Sequence, residues 1–108
     1  MDSITTDSQQ LISRLNAETA KIGWHELQKH YASGNLLSVA TGTDLIEVAI
    51  ALHRDDKALV QQWLGNGSLS RVEDHQAMDW YDCNRLLWAL VIPPFVLVQE
   101  TQEVQEIE

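Results

Sequence analysis

A single cysteine, Cys83, excludes an intramolecular disulfide. No basic segment followed by an apolar stretch lies near Met1, so no secretory signal is expected. Together these point to a reducing cytoplasm. Cations are scarce and scattered: Arg14, Lys21, Lys29, Arg54, Lys57, Arg71 and Arg85 stand singly along the chain. Phosphate contact needs a cationic patch, so nucleic acid is not an expected partner. No apolar run reaches the ~20 residues of a membrane-spanning helix, so no membrane partner is expected either. A glycine-rich phosphate loop, a paired CxxC and a nucleophile elbow are all missing. Nothing in the sequence requires a cofactor, and the residues lean away from an enzyme.

What the chain has is one domain's worth of sequence. Its 108 residues suffice to bury roughly 65% of the unfolded surface without staples. The formal charge of -9 is concentrated at the ends. Asp2 and Asp7 lie in the first eight residues, and Glu100, Glu103, Glu106 and Glu108 near the other terminus, with no Lys or Arg in either tail. The expected organisation is a polar, disordered tail over residues 1–8, a globular domain over 9–100, and an acidic tail over 101–108.

The longest apolar run is Leu86 to Val98, LLWALVIPPFVLV. Two prolines exclude a helix interior, and uniform apolarity in place of alternation predicts a strand covered on both faces. Pro93 and Pro94 cannot take the positive φ of the favoured hairpin turns. Leu86–Val91 and Phe95–Val98 are therefore expected as one bent strand or two separated ones, with Leu86–Val91 at the sheet centre.

Helical spacing of apolar residues predicts a first helix over Gln9–Ala20 and a second from Trp24 to about Ala32, opened by Gly23 and closed by Gly34. Leu36–Ala40 reads as a short strand. Asp44 with Glu47 three residues on resembles a capping box and opens a third helix. Ala58–Leu64 reads as a fourth helix, ended by Gly65-Asn66-Gly67, and Leu69–Val72 as an extended piece. Asp74–Asn84 reads as a fifth helix, with Ala77, Trp80, Tyr81 and Asn84 on one stripe. The predicted class is α+β, with about five helices packed on a small three- or four-stranded sheet.

With those residues in view, the chain resembles an uncharacterised bacterial family, domain of unknown function 2288. The resemblance is carried by Leu15-Asn16-Ala17-Glu18, Ile22-x-Trp24-x-Glu26-Leu27, Ala32-x-Gly34-x-Leu36-Leu37, Asp44-Leu45-Ile46, Trp63, Gln76-Ala77-x-Asp79-Trp80, Leu87-Trp88-Ala89 and Pro94-x-Val96-Leu97-Val98. It spans roughly Leu11 to Glu100. Phe95, where the family more often has Trp, and the doubled Pro93-Pro94 depart from it. The resemblance implies a small bacterial cytoplasmic protein and no particular activity.

Several groupings carry possible chemistry. His25 and His30 bracket a near-zincin motif but are five apart, about 140° around a helix, and do not chelate one ion. His75, Asp79 and Cys83 recur every four residues on one helix face, opposite the predicted core stripe. Three turns span about 12 Å, so only neighbours can meet, which leaves His75 and Asp79 as weak metal candidates. Asp55-Asp56 and Asp44/Glu47 sit at helix boundaries, where capping accounts for them. Trp24, Trp63, Trp80 and Trp88 suit core packing first and a ligand pocket second.

The leading expectation is a non-catalytic interaction module, a homodimer whose interface lies at Phe95, Val96, Leu97 and Val98, because helices of so short a chain are expected to cover only one face of the sheet. An unidentified protein partner is a further possibility. The alternatives are a small-molecule binder with a pocket lined by the four tryptophans, and a metal-dependent enzyme.

Overall fold

The structure is a computed structural model that describes residues 2–101, with side chains from residue 9 onward. Its elements in chain order are α1 (Asp2–Glu18), β1 (Ala20–Gly23), α2 (Trp24–Ala32), β2 (Leu36–Val39), α3 (Leu45–His53), α4 (Lys57–Asn66), β3 (Leu69–Arg71), α5 (Asp74–Cys83), β4 (Leu86–Ile92) and β5 (Phe95–Glu100). The class is α+β with five helices among the described residues, and the sheet has five strands, not three or four. The added strand is β1. Its four residues are too few to show a period, and they become a strand by pairing antiparallel with β4, Ala20 opposite Ala89 through Gly23 opposite Leu86. Helix α1 starts at Asp2, where Gln9 was expected, so residues 2–8 carry helical backbone where a tail was predicted. Beyond Thr101, the expected acidic tail lies outside the described residues.

Local chemistry explains the helix ends. The Asp44 carboxylate accepts from the backbone N–H of Ile46 at 2.9 Å and of Glu47 at 3.4 Å, capping α3. Asp56 accepts from Leu59 N–H at 3.3 Å at the start of α4. Both acid groupings of the sequence therefore contain a cap. Gly67, at φ 87°, ends α4 in the left-handed conformation that a side chain resists.

The strand order is β1-β4-β5-β2-β3, with β2 and β5 parallel and every other pair antiparallel. Leu86–Val91 is thus not central, since β5 holds the middle. The expected separation of the two halves of the apolar run is also overturned: β4 and β5 form a tight hairpin, with Ile92 opposite Phe95 across Pro93-Pro94. That peptide is cis. A cis proline at the third residue makes a type VI turn, which reverses the chain without a positive φ.

The sheet is covered on both sides by this chain's own helices. One cluster joins Leu15 of α1, Val48 and Ala49 of α3 and Trp63 of α4 to Val39, Leu69, Leu90 and Leu97 of the sheet. The other joins Trp24 and Leu27 of α2 and Ala77 and Trp80 of α5 to Leu36, Leu87, Ala89, Val96 and Val98. Consecutive residues of β5 therefore enter opposite cores, which is why its sequence does not alternate. Each such side chain contributes about 1.5–3 kcal/mol by leaving water. Val96, Leu97 and Val98 are buried within one chain and Phe95 is half-buried, so these residues do not offer the uncovered face on which the expected interface depended. No helix among the described residues is long and apolar enough to cross a membrane.

Candidate functional site

Helices α2 and α5 lie side by side on one face of the sheet, and the junction at one end is built by Asn84. This residue ends α5 in the left-handed conformation, φ 46°. Its side-chain oxygen accepts from His25 N–H at 2.9 Å, one residue into α2. The adjacent Trp24 N–H donates to the Arg85 carbonyl at 2.9 Å. Gly23 has no side chain to cap α2, and its bareness is what admits Asn84: a Cβ there would stand 2.8 Å from the Asn84 amide oxygen.

Between the helices runs a groove of about 420 Å³, with Trp24, Tyr31, Ala77, Met78 and Tyr81 among its walls. Trp24 is its floor, packed against Trp80 at 5.4 Å and Tyr31 at 5.6 Å between ring centroids, both tilted by 58°. Tilted contacts of this kind suit the quadrupoles of aromatic rings. The rim is open and largely apolar: Met78 is 66% exposed and Tyr81 50% exposed, one turn apart on α5. Tyr81 also lies against the His25 ring at 4.6 Å, and His25 Nε2 is 3.0 Å from the Tyr81 carbonyl oxygen. At the other end the Tyr31 hydroxyl donates to the Asp74 carboxylate. That hydrogen bond raises the Tyr31 pKa above the usual phenol value, with desolvation and the Asp74 charge acting in the same direction. Asp74 and Asp82 frame the groove with negative charge.

The sequence placed Tyr81 and Asn84 on the buried stripe of α5, yet only Ala77 and Trp80 of that stripe are buried. The signal for the groove was Met78 with Tyr81 three residues later, a second apolar row on the same helix.

Behind α5 lies a polar groove of about 610 Å³, which brings together His75, Asp79 and Cys83 with Arg71, Arg85 and Glu100. The expected polar face is there, but its members engage neighbours: His75 Nδ1 lies 3.4 Å from Glu73, and the Cys83 thiol donates to the Asp79 carbonyl at 3.5 Å. Among the described residues no three His, Cys, Asp or Glu side chains are grouped to hold a metal ion. Thus His75 and Asp79 are not joined by a third ligand.

The four tryptophans do not surround one pocket. Trp24 and Trp80 belong to the α2–α5 core, while Trp63 and Trp88 pack on the opposite side of the sheet. Trp80 donates its indole N–H to Glu100 at 2.9 Å, and Lys21 lies over Trp88 at 5.0 Å. The first contact satisfies the polar end of a buried structural indole, and the second is a cation–π contact on a ring face.

Residues 10–100 match the sequence model of a family described as protein of unknown function (DUF2288). The fold is similar to the NMR solution structure of PA1075 from Pseudomonas aeruginosa, with a TM-score of 0.76, 42% identity, and 92% of each chain covered. No curated protein matches the chain.

Proposed function

We propose that this chain, which belongs to the DUF2288 family, is a non-catalytic interaction module that pairs with a second copy of itself through the α2–α5 face. The observation that carries this reading is the pair Met78 and Tyr81, exposed one turn apart above a floor of Trp24 and Tyr31. Met and Tyr are enriched where proteins meet, because both present a large apolar surface that adapts to a partner. Charge favours a second copy as that partner. Helix α2 carries Lys29 and His30 in its last turn, and Asp74 and Asp82 of α5 line the groove. In a two-fold contact each copy's patch meets the same patch of the other, and on this reading Lys29 at the end of one α2 approaches Asp74 and Asp82 of the other copy's α5. This replaces the sheet residues 95–98 as the expected contact and keeps the homodimer. The exposed free thiol of Cys83 suits a reducing cytoplasm as its compartment.

Native mass by light scattering over a dilution series tests the proposal. The wild type is expected as a dimer that dissociates on dilution, and Met78→Glu and Tyr81→Glu as monomers. Val91→Glu, at an exposed strand position, is expected to leave the mass unchanged. A wild-type monomer at every concentration, or a dimer that persists in Met78→Glu, refutes it.

A further inference from the structure

On the other side of the sheet, between α4, the end of α3 and the β2–β3 edge, a cleft of about 360 Å³ opens to the surface. Its walls are aliphatic and aromatic: Leu52, Val60, Leu64, Leu69 and Phe95. Leu69 is fully buried at the base, whereas Leu64 is 48% exposed, an apolar wall with no apolar cover. The volume falls in the range of small-molecule sites, which combine mostly apolar walls with a few polar groups. Here the charged groups are Lys57 and Arg71 against a single acid, Asp55. Lys57 opens α4, and Arg71 ends the edge strand β3. The Arg71 guanidinium is held in place by a 3.1 Å bond from Nη1 to the Gly34 carbonyl. That bond uses one of the five donors of an arginine, and the planar remainder matches a carboxylate.

We infer that this cleft binds a small amphiphilic carboxylate, with its aliphatic chain along Val60, Leu64 and Phe95 and its carboxylate between Lys57 and Arg71. The apolar walls alone would accept any hydrophobic chain of suitable length. The two cations select an anionic head over a neutral or cationic one. The site is independent of the α2–α5 face, which lies across the sheet, so either proposal stands or fails without the other.

The test uses the full chain labelled with ¹⁵N and three probes of equal chain length: decanoate, decanol and decylamine. Saturable amide shifts around Val60, Leu64 and Phe95 are expected with decanoate. Decanol is expected to bind about tenfold more weakly or worse, the factor that a charge-assisted hydrogen bond represents. Decylamine is expected to be weaker still. Arg71→Gln with Lys57→Gln should bring decanoate to the affinity of decanol, and Leu64→Glu should remove binding of both. These positions are exposed, and a dispersed spectrum confirms that each variant folds. Equal affinity for decanoate and decanol, shifts confined to the α2–α5 groove, or no saturable shift with decanoate each overturns the inference.

Discussion

Gly23 and Asn84 form a junction whose energetics can be separated by four variants. Asn84 does two things: its side chain caps α2 through His25 N–H at 2.9 Å, and its backbone holds φ 46° at the end of α5. Asn84→Gly keeps the backbone conformation and loses the hydrogen bond from His25 N–H, which costs about 1 kcal/mol. Asn84→Ala loses both; the left-handed conformation adds about 1–2 kcal/mol, for a total of about 2–3 kcal/mol. Gly23→Ala places a Cβ 2.8 Å from the Asn84 amide oxygen and 3.2 Å from its nitrogen. The amide can move aside, but only by leaving His25. The glycine variant therefore removes the same cap from the other side, again at about 1 kcal/mol. Because one bond is lost in either case, Gly23→Ala with Asn84→Gly together should cost about 1 kcal/mol, not the ~2 kcal/mol of independent changes. Urea unfolding followed by tryptophan fluorescence measures all four, with Trp24 next to the junction as reporter. Additive costs in the pair, with unchanged dependence on urea, would refute the reasoning.

Three further predictions follow from the packing. Leu97→Ala, at a fully buried position of the central strand, should cost about 2–5 kcal/mol in urea unfolding; a cost below about 1 kcal/mol would mean that the side chain lies at a surface. Glu100→Ala strips the indole N–H of buried Trp80 of its acceptor and should cost about 1–3 kcal/mol, whereas Glu100→Gln, which keeps an acceptor, should cost less. The raised pKa of Tyr31 contributes stability that is present in full below the unfolded phenol value near 10 and is lost as pH climbs through the higher folded value. Tyr31→Phe should flatten that part of the pH dependence of the urea midpoint, and an unchanged slope above pH 10 would refute the assignment.

The elements whose signals are local were legible in the sequence. Helix α2 runs from Trp24 to Ala32 behind Gly23, as its spacing predicts. Asp44 caps α3, and Gly67 ends α4. The two-faced burial of Val96, Leu97 and Val98 was legible too in the lack of alternation, whereas Leu86 and Val91 of the same run are exposed. The candidate site was only half legible. Its floor follows from the apolar stripes that contain Trp24 and Trp80. Its rim does not, because exposure of Met78 and Tyr81 depends on how α2 and α5 lie across the sheet.

Composition and periodicity by themselves determined the α+β class, the number of helices, the caps that start and stop several of them, and much of the core, though not the exposure of Tyr81 and Asn84. Those follow from interactions within a few residues and from the need to bury apolar side chains. The tertiary structure alone decided that β1 is a strand, that β4 and β5 turn back on each other, that β5 is central, and that two helices cover the face expected to be bare. Each of these depends on partners distant in sequence, such as Ala20 with Ala89 or Leu36 with Val96. Periodicity reports which side chains must be buried, but not which of several available surfaces buries them.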